Sequence, residues 1–384
     1  MMKNICKIAS LLFAAVMLFA ACGEKQNPDG GETGGAGAAG TQKFYMLADK
    51  DVIQSNGTDV STLTVYLDGQ DVTSEAVIYN EKDEPVSLAD GKFTVTKDGE
   101  YKFWASYGTY MTKNKDLDDN GLITVKAISV AVPSVAEDLQ KSNTSFVHRA
   151  FLTQYTGIRC GYCPYMIKIL KQLIADKTIP DKAVLVACHS GYNQGDPAAI
   201  SAPQAPGGNY PYLHIGMAQG FTHNQGASVL YSLINSNIAS DAAAGISANP
   251  VLYEDGTLVV RVSVKAAVDG NFRVGAWLLE DDIYAAQEDY DNVGDESYDT
   301  HNNCVRLIDS RYDGLWAGKH LGEIKAGKTA EKTFVMKVKL TGSKPWKKEN
   351  LHLALIVSKE EKDGFAICNA VDVPIDKPTL FEYK

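Results

Sequence analysis

The sequence predicts a multidomain chain in which one α/β module lies between two all-β modules, preceded by a segment that does not fold. Three observations carry this. From Lys43 to about Ile128, short runs of alternating apolar and polar residues recur between Asp-Gly dipeptides. In the middle, a strand-like run enters a Cys-x-x-Cys, followed by apolar residues at helical spacing and then an unbroken apolar run. Alternating runs return from Asn249 to the C-terminus.

The first segment is expected to be processed. Lys3 and Lys7 give a short positive region, and Ile8 to Phe19 form an apolar run too short to span a bilayer but right for a signal peptide over residues 1–21. Leu18-Phe19-Ala20-Ala21-Cys22 resembles a lipobox, although Phe19 departs from the commoner small aliphatic residue at its position. Cys22 is therefore the expected lipidation site, carrying acyl chains such as palmitate; two or three chains bury enough methylene groups for a stable anchor. Residues 22–42, rich in glycine and with almost nothing apolar to bury, read as a flexible tether reaching roughly 25 Å. The expected partner at this end is a membrane, and the expected location is the outer membrane, on its periplasmic or its cell-surface side.

Composition bounds the remainder. The chain has 384 residues, more than one hydrophobic core usually serves, and 45% of them are hydrophobic, as in globular proteins. A net charge of -10, with no Lys/Arg stripe interleaved with aromatics, argues against a nucleic-acid surface. No cofactor signature is present. With Cys6 removed and Cys22 lipidated, five cysteines remain: Cys160, Cys163, Cys188, Cys304 and Cys368. An exported chain meets an oxidising compartment, so close pairs read first as disulfides.

Residues 43–130 read as an immunoglobulin-like β-sandwich, a spacer or docking module without a catalytic constellation. Its strands are expected at Leu63/Val65/Leu67, Phe93/Val95, Tyr101/Phe103/Ala105 and Ile123/Val125, with turns at Asp68-Gly69, Asp90-Gly91 and Asp98-Gly99. Asp116 to Gly121 imitates the start of a calcium loop, but Ala127 stands where the closing Glu belongs, so an acidic solvated turn is expected.

Residues 142–248 carry the specific motif. Phe146 to Tyr155 reads as a strand running into Thr156-Gly157-Ile158-Arg159-Cys160-Gly161-Tyr162-Cys163-Pro164, and Met166, Ile167, Ile169, Leu170, Leu173 and Ile174 follow at helical spacing. The helix's free N–H groups and positive dipole end favour a thiolate on the first cysteine, and the two-residue gap lets the second close a small ring. Pro164 falls in the first turn, where its missing N–H costs nothing. Ala183 to Cys188 reads as a strand buried on both faces, reached through a Pro180-Asp181 turn. Pro211, immediately before a further strand, is the expected cis-proline facing the cysteines, and Gly226 to Ser240 reads as a closing amphipathic helix. Zinc is a rival use of Cys160, Cys163, Cys188 and His189, weakened because adjacent strand residues point to opposite faces. His189, His214 and His223 read as ordinary polar residues near the presumed site.

These segments, together with the later Tyr-Pro element and a β-rich tail, resemble the family of outer membrane proteins related to the twenty-eight-kilodalton outer membrane lipoprotein. The resemblance runs from about Phe146 to the C-terminus and implies a thioredoxin-like core with a poorly defined biochemical role. Cys160-Gly161-Tyr162-Cys163 is also similar to the active site of periplasmic disulfide isomerases.

Residues 249–384 read as a second sandwich, with strands at Leu258–Val264, Phe272–Leu279, Thr333–Leu340 and Leu351–Val357. Glu280 to Tyr298 is acidic and tyrosine-rich, expected as a solvated loop or as a binding surface using Tyr284, Tyr290 and Tyr298. His301 to Arg306 resembles a loop of the same family. Whether Cys304 and Cys368 pair is left open. Two functions remain in view. In the first, a lipid-anchored thiol-disulfide oxidoreductase or isomerase acts on exported proteins, with Cys160 attacking, Cys163 resolving and Pro211 shaping the groove. In the second, a non-catalytic surface binding or structural lipoprotein keeps the CxxC as a structural disulfide.

Overall fold

The computed structural model describes residues 44–115, 121–192, 194–309 and 318–384. Cys22, the signal segment, the tether and the acidic turn at Asp116–Asn120 lie outside the described residues.

The first module is built from nine strands: β1 (Phe44–Ala48), β2 (Val52–Gln54), β3 (Ser61–Leu67), β4 (Gln70–Asp71), β5 (Val77–Asn80), β6 (Lys92–Phe93), β7 (Gly99–Tyr107), β8 (Tyr110–Met111) and β9 (Ile123–Ile128). They form two sheets. One runs β1-β3-β4 with β6 on β3; the other runs β2-β9-β7-β5 with β8 on β7. Strict alternation puts Leu63 and Val65 of β3 inward, where they meet Phe44, Met46, Phe93, Phe103 and Val125 in one core. Asp68-Gly69 and Asp90-Gly91 turn as expected, both residues of each pair having positive φ, and a Cβ at Gly91 would lie 2.1 Å from the Leu63 carbonyl oxygen. Asp98-Gly99 is different: Gly99 has no positive φ and starts β7 directly.

The middle of the chain folds as β10 (Ala150–Thr156), α1 (Cys163–Ala175), a short α2 (Thr178–Lys182) where a simple turn is expected, β11 (Ala183–His189), β12 (Tyr212–Ile215), β13 (Gln219–Phe221) and α3 (Ala227–Asn237). Strands β10 and β11 are parallel and buried at every residue, as an apolar run covered on both faces requires. On one face Met166, Leu170, Leu173, Leu230 and Ile234 of α1 and α3 pack onto Leu152, Leu185, Leu213 and Ile215.

The remaining strands are β14 (Ala244–Leu252), β15 (Thr257–Ala266), β16 (Gly270–Glu280), β17 (Ile283–Tyr284), β18 (Thr300–His301), β19 (Cys304–Asp309), β20 (Lys319–Ile324), β21 (Thr329–Lys337), β22 (Leu351–Glu361) and β23 (Gly364–Pro374). A sheet β14-β15-β21 packs against β16, β22 and β23 around Val260, Val262, Phe334, Leu278 and Leu355. The second layer, however, does not stop at the module boundary. Strand β19 lies parallel beside β11, with Ala187 opposite Cys304, so one nine-stranded sheet runs β13-β12-β10-β11-β19-β16-β22-β23, with β20 on β16. Phe151 of β10 meets fully buried Trp277 of β16 edge-on, 5.3 Å between ring centres, and Tyr155, Val186, Leu279 and Ile356 complete that shared core. Truncating such a tryptophan costs about 3 to 5 kcal/mol, so the two parts stabilise each other. The division placed at Asn249 falls inside β14. Asn249-Pro250 looks like a turn, but Pro250 sits on an edge strand, where no ladder hydrogen bond is lost. Among the described residues, strands dominate and helices are few. Among the described residues no helix is long and apolar enough to cross a membrane.

Candidate functional site

The geometry is set by the exit from β10. A Cβ at Gly157 would lie 1.7 Å from the Gly191 carbonyl oxygen, so only glycine lets the chain pass there. Two turns follow: Cys160 N–H donates to Gly157 O at 3.0 Å and Cys163 N–H to Cys160 O at 2.9 Å. Helix α1 then opens at Cys163 with Pro164 in its first turn. Cys160 and Cys163 are joined by a disulfide, S–S 2.03 Å with their Cα atoms 5.3 Å apart. Cys160 is 4% exposed and Cys163 is fully buried.

Pro211 reaches the same end of the sheet. Tyr212 stands opposite Tyr155 in the β10–β12 ladder, and one further step places Pro211 beside Thr156, at the strand end from which the CGYC loop departs. The Tyr210–Pro211 peptide is cis, as expected; Ala202–Pro203, which nothing in the sequence singled out, is cis as well. The Tyr210 ring fills the space where Gly191 lacks a side chain, and its hydroxyl accepts from Ala205 N–H at 3.2 Å.

Behind the loop lies a buried polar group that sequence reasoning missed. Asp196 accepts hydrogen bonds from Ile158 N–H at 3.1 Å and Ala198 N–H at 2.8 Å, and its Oδ2 is 2.8 Å from His189 Nδ1. On the other side of that imidazole, Cys304 Sγ is 3.6 Å from Nε2. Burial pushes the Asp196 carboxyl up, but the His189 hydrogen bond and charge and the two backbone N–H groups outweigh it and hold it below its usual value. Burial raises the Cys304 thiol well above its usual value, so this cysteine is a protonated core residue despite its histidine neighbour. Asp196 follows a Gly-rich loop with no periodic signal, and only folding brings it back to the CGYC loop.

The other candidates disperse. Cys188 turns to the opposite face from His189 and packs with Tyr155 and Trp277, its thiol raised by burial, so the four-ligand zinc set does not converge. His214 Nδ1 is 3.0 Å from the Tyr155 hydroxyl, and His223 stacks on Tyr165 with 5.3 Å between ring centres. Cys304 and Cys368 are both free. They sit on β19 and β23, with β16 and β22 between them; three strand spacings, roughly 14 Å, are beyond bridging distance.

The acidic segment is not simply solvated. Strands β17 and β18 pair at its base, and residues 285–299 form a loop whose tip rests on the CGYC turns. Glu288 N–H donates to Ile158 O at 2.7 Å and Tyr290 N–H to Gly161 O at 3.1 Å. The Gln287 amide donates toward Gly157 O, Ile158 O and Cys160 O at 3.3, 3.1 and 3.1 Å. Tyr290 lays its ring on Gly161, where an added Cβ would be 2.4 Å away, and meets Tyr162 edge-on. Arg159 pairs with Glu288 at 3.1 Å, and the Tyr165 hydroxyl donates to Asp291 at 3.0 Å. Of the tyrosines expected to be exposed, Tyr284 and Tyr290 are; Tyr298 is buried, with Lys171 over its ring at 5.1 Å.

No protein-family model and no curated protein sequence matches the chain. Solved structures resemble it at low identity and over part of its length, three of them as follows. HBP35 of Porphyromonas gingivalis is 15% identical with a TM-score of 0.46, over 63% of this chain and 79% of that one. A domain of the outer membrane lipoprotein Omp28 from Porphyromonas gingivalis is 17% identical with a TM-score of 0.23, over 35% of this chain and 89% of that one. Spo0M, a sporulation control protein from Bacillus subtilis, is 11% identical with a TM-score of 0.21, over 37% of this chain and 50% of that one.

Proposed function

We propose that this chain is a lipid-anchored protein of the outer membrane whose thioredoxin-like unit exchanges thiols and disulfides with exported proteins through Cys160 and Cys163. The observation that carries this is the placement of one cystine at the start of α1, with Pro211 at the same sheet end. In the reduced form the Cys160 thiolate attacks one sulfur of a substrate disulfide. An S–S bond forms between them and a substrate thiolate leaves. Cys163 then attacks the Cys160 sulfur, closing the ring and releasing the second substrate thiol, so the substrate gains the two electrons that the pair loses. An envelope dithiol must return them; in isomerisation the mixed disulfide resolves within the substrate and no electrons are needed. The immunoglobulin-like first module and the tether from Cys22 hold this unit away from the lipid.

The test is turnover. Insulin reduction and scrambled-disulfide isomerisation by the full protein are expected to disappear in Cys160→Ser, while Cys163→Ser is expected to trap mixed disulfides. Activity unchanged by Cys160→Ser overturns the proposal. The burial of both sulfurs favours a second reading, a structural cystine in a binding lipoprotein, which predicts no turnover in either form. Mass spectrometry of residue 22 tests the anchor, and an unmodified cysteine there removes it.

A further inference from the structure

We infer that the CGYC face is a docking groove for an extended polypeptide carrying an acidic residue and, two positions later, an aromatic one, and that the chain's own Gln287–Asp291 is its resident occupant. This rests on the proposed exchange reaction and names the class of substrate it takes.

The hydrogen bonds show how the groove reads its occupant. Two outward carbonyls of the loop, Ile158 O and Gly161 O, take the N–H groups of Glu288 and Tyr290. Residues two apart in an extended chain present their backbone groups to the same side, so these two positions of the segment are held through the main chain. Specificity comes from the flanks. Arg159 meets the carboxylate of Glu288, and Gly161, lacking a Cβ, leaves a flat seat for the Tyr290 ring beside Tyr162. The Gln287 amide, reaching three carbonyls of the turn, holds the segment down. With this occupant in place Cys160 is 4% exposed, although it stands on a surface loop next to half-exposed Tyr162. An incoming polypeptide must displace residues 287–291 to bring a disulfide to the Cys160 sulfur. The base of the segment is pinned independently by the β17–β18 pair and by Asn303 N–H donating to Asp281, so an incoming polypeptide has to replace only the contacts of residues 287–291.

The experiment measures how fast a water-soluble phosphine reduces the Cys160–Cys163 bond and how fast Cys160 is then alkylated. It uses the full protein with Gln287→Ala, Tyr290→Ala and, as control, Tyr284→Ala, whose side chain is 74% exposed on the same segment. The first two variants are expected to raise both rates by about tenfold: Gln287→Ala by losing one or two side-chain hydrogen bonds of ordinary net worth, and Tyr290→Ala, which keeps its backbone N–H, by losing the ring contacts with Gly161 and Tyr162. Tyr284→Ala is expected to stay within about twofold, as a surface change away from the contact should. Adding the synthetic peptide Ala-Ala-Gln-Glu-Asp-Tyr-Asp at millimolar concentration to Gln287→Ala is expected to slow alkylation again, and a scrambled peptide to leave it unchanged. Rates in Gln287→Ala and Tyr290→Ala equal to the parent's, or a peptide without effect, overturn the inference. The outcomes also separate it from the exchange reaction: faster reduction without turnover in any variant leaves the groove and removes the enzyme, and turnover indifferent to both variants does the reverse.

Discussion

Replacing both Cys160 and Cys163 by alanine is expected to cost little stability, and the reason is the size of the ring they close. The two cysteines are three positions apart. In the chain-entropy model a cross-link removes freedom from the unfolded chain in proportion to the logarithm of the loop it closes, and so short a loop gives about 2 kcal/mol. Losing the two buried sulfurs adds up to about 1 kcal/mol of transfer free energy. The total, about 3 kcal/mol, is a fraction of what holds Leu152, Met166, Leu170 and Leu213 together around α1. Urea unfolding of the oxidised parent and the double variant, followed by far-UV circular dichroism at equal m, is the assay. A native-like variant with that modest loss agrees with a cystine present for its chemistry. A loss above about 5 kcal/mol, or a variant that does not fold, makes it a structural staple and refutes the reasoning.

Three further outcomes are expected. Burial alone lowers the His352 pKa, but hydrogen bonds and charges of Asp281 and Asp372 outweigh it and hold it at about 9. Since that lies above the unfolded value of about 6.5, the stabilisation is complete below pH 6.5, amounts to at most about 3 kcal/mol, and is lost as pH rises through 9. Melting curves of the parent should therefore fall toward those of His352→Gln between pH 6.5 and 10, and a constant gap to pH 10 contradicts this. Lys265, 1% exposed, holds Asp138 at 2.7 Å and the Tyr383 hydroxyl at 3.1 Å, tying the linker and the C-terminal tail to β15. Lys265→Met leaves that carboxylate without its cation and should cost about 3 kcal/mol in chemical denaturation; a change under about 1 kcal/mol places the pair at a solvated edge instead. Alkylation of the denatured, unreduced protein should label Cys188, Cys304 and Cys368 and spare Cys160 and Cys163, which peptide mass spectrometry reads directly.

What could be read from sequence was local. The unbroken Ala183–Cys188 run announces a strand covered on both faces, and CxxC-Pro ahead of Met166, Leu170 and Leu173 announces a helix that starts at the cysteines. Asp68-Gly69 needs two residues of positive φ and shows it in its composition. What could not be read was long-range. Nothing in Cys304–Asp309 says that it will lie beside β11, because a parallel pairing across more than a hundred positions leaves no periodic trace. The joining of α/β unit and sandwich into one sheet was therefore invisible, as was the return of Asp196 to Ile158. The segment from Glu280 to Tyr298 was legible as acidic and aromatic, but its use was not. Hydrogen bonds from Glu288 and Tyr290 run through the backbone, which every residue carries alike. Cys304 and Cys368 illustrate the opposite limit, since two unassigned cysteines in an exported chain invite pairing until the strand order places two strands between them.

The reduction potential of the Cys160–Cys163 pair, measured in the whole protein by equilibration against glutathione buffers and trapping with an alkylating mass tag, bears most directly on the proposed chemistry. A pair that exchanges with exported proteins should equilibrate reversibly at between about -270 and -120 mV. A value below about -300 mV, with no mixed disulfide trapped on Cys160, belongs to a cystine that does not turn over and contradicts the account.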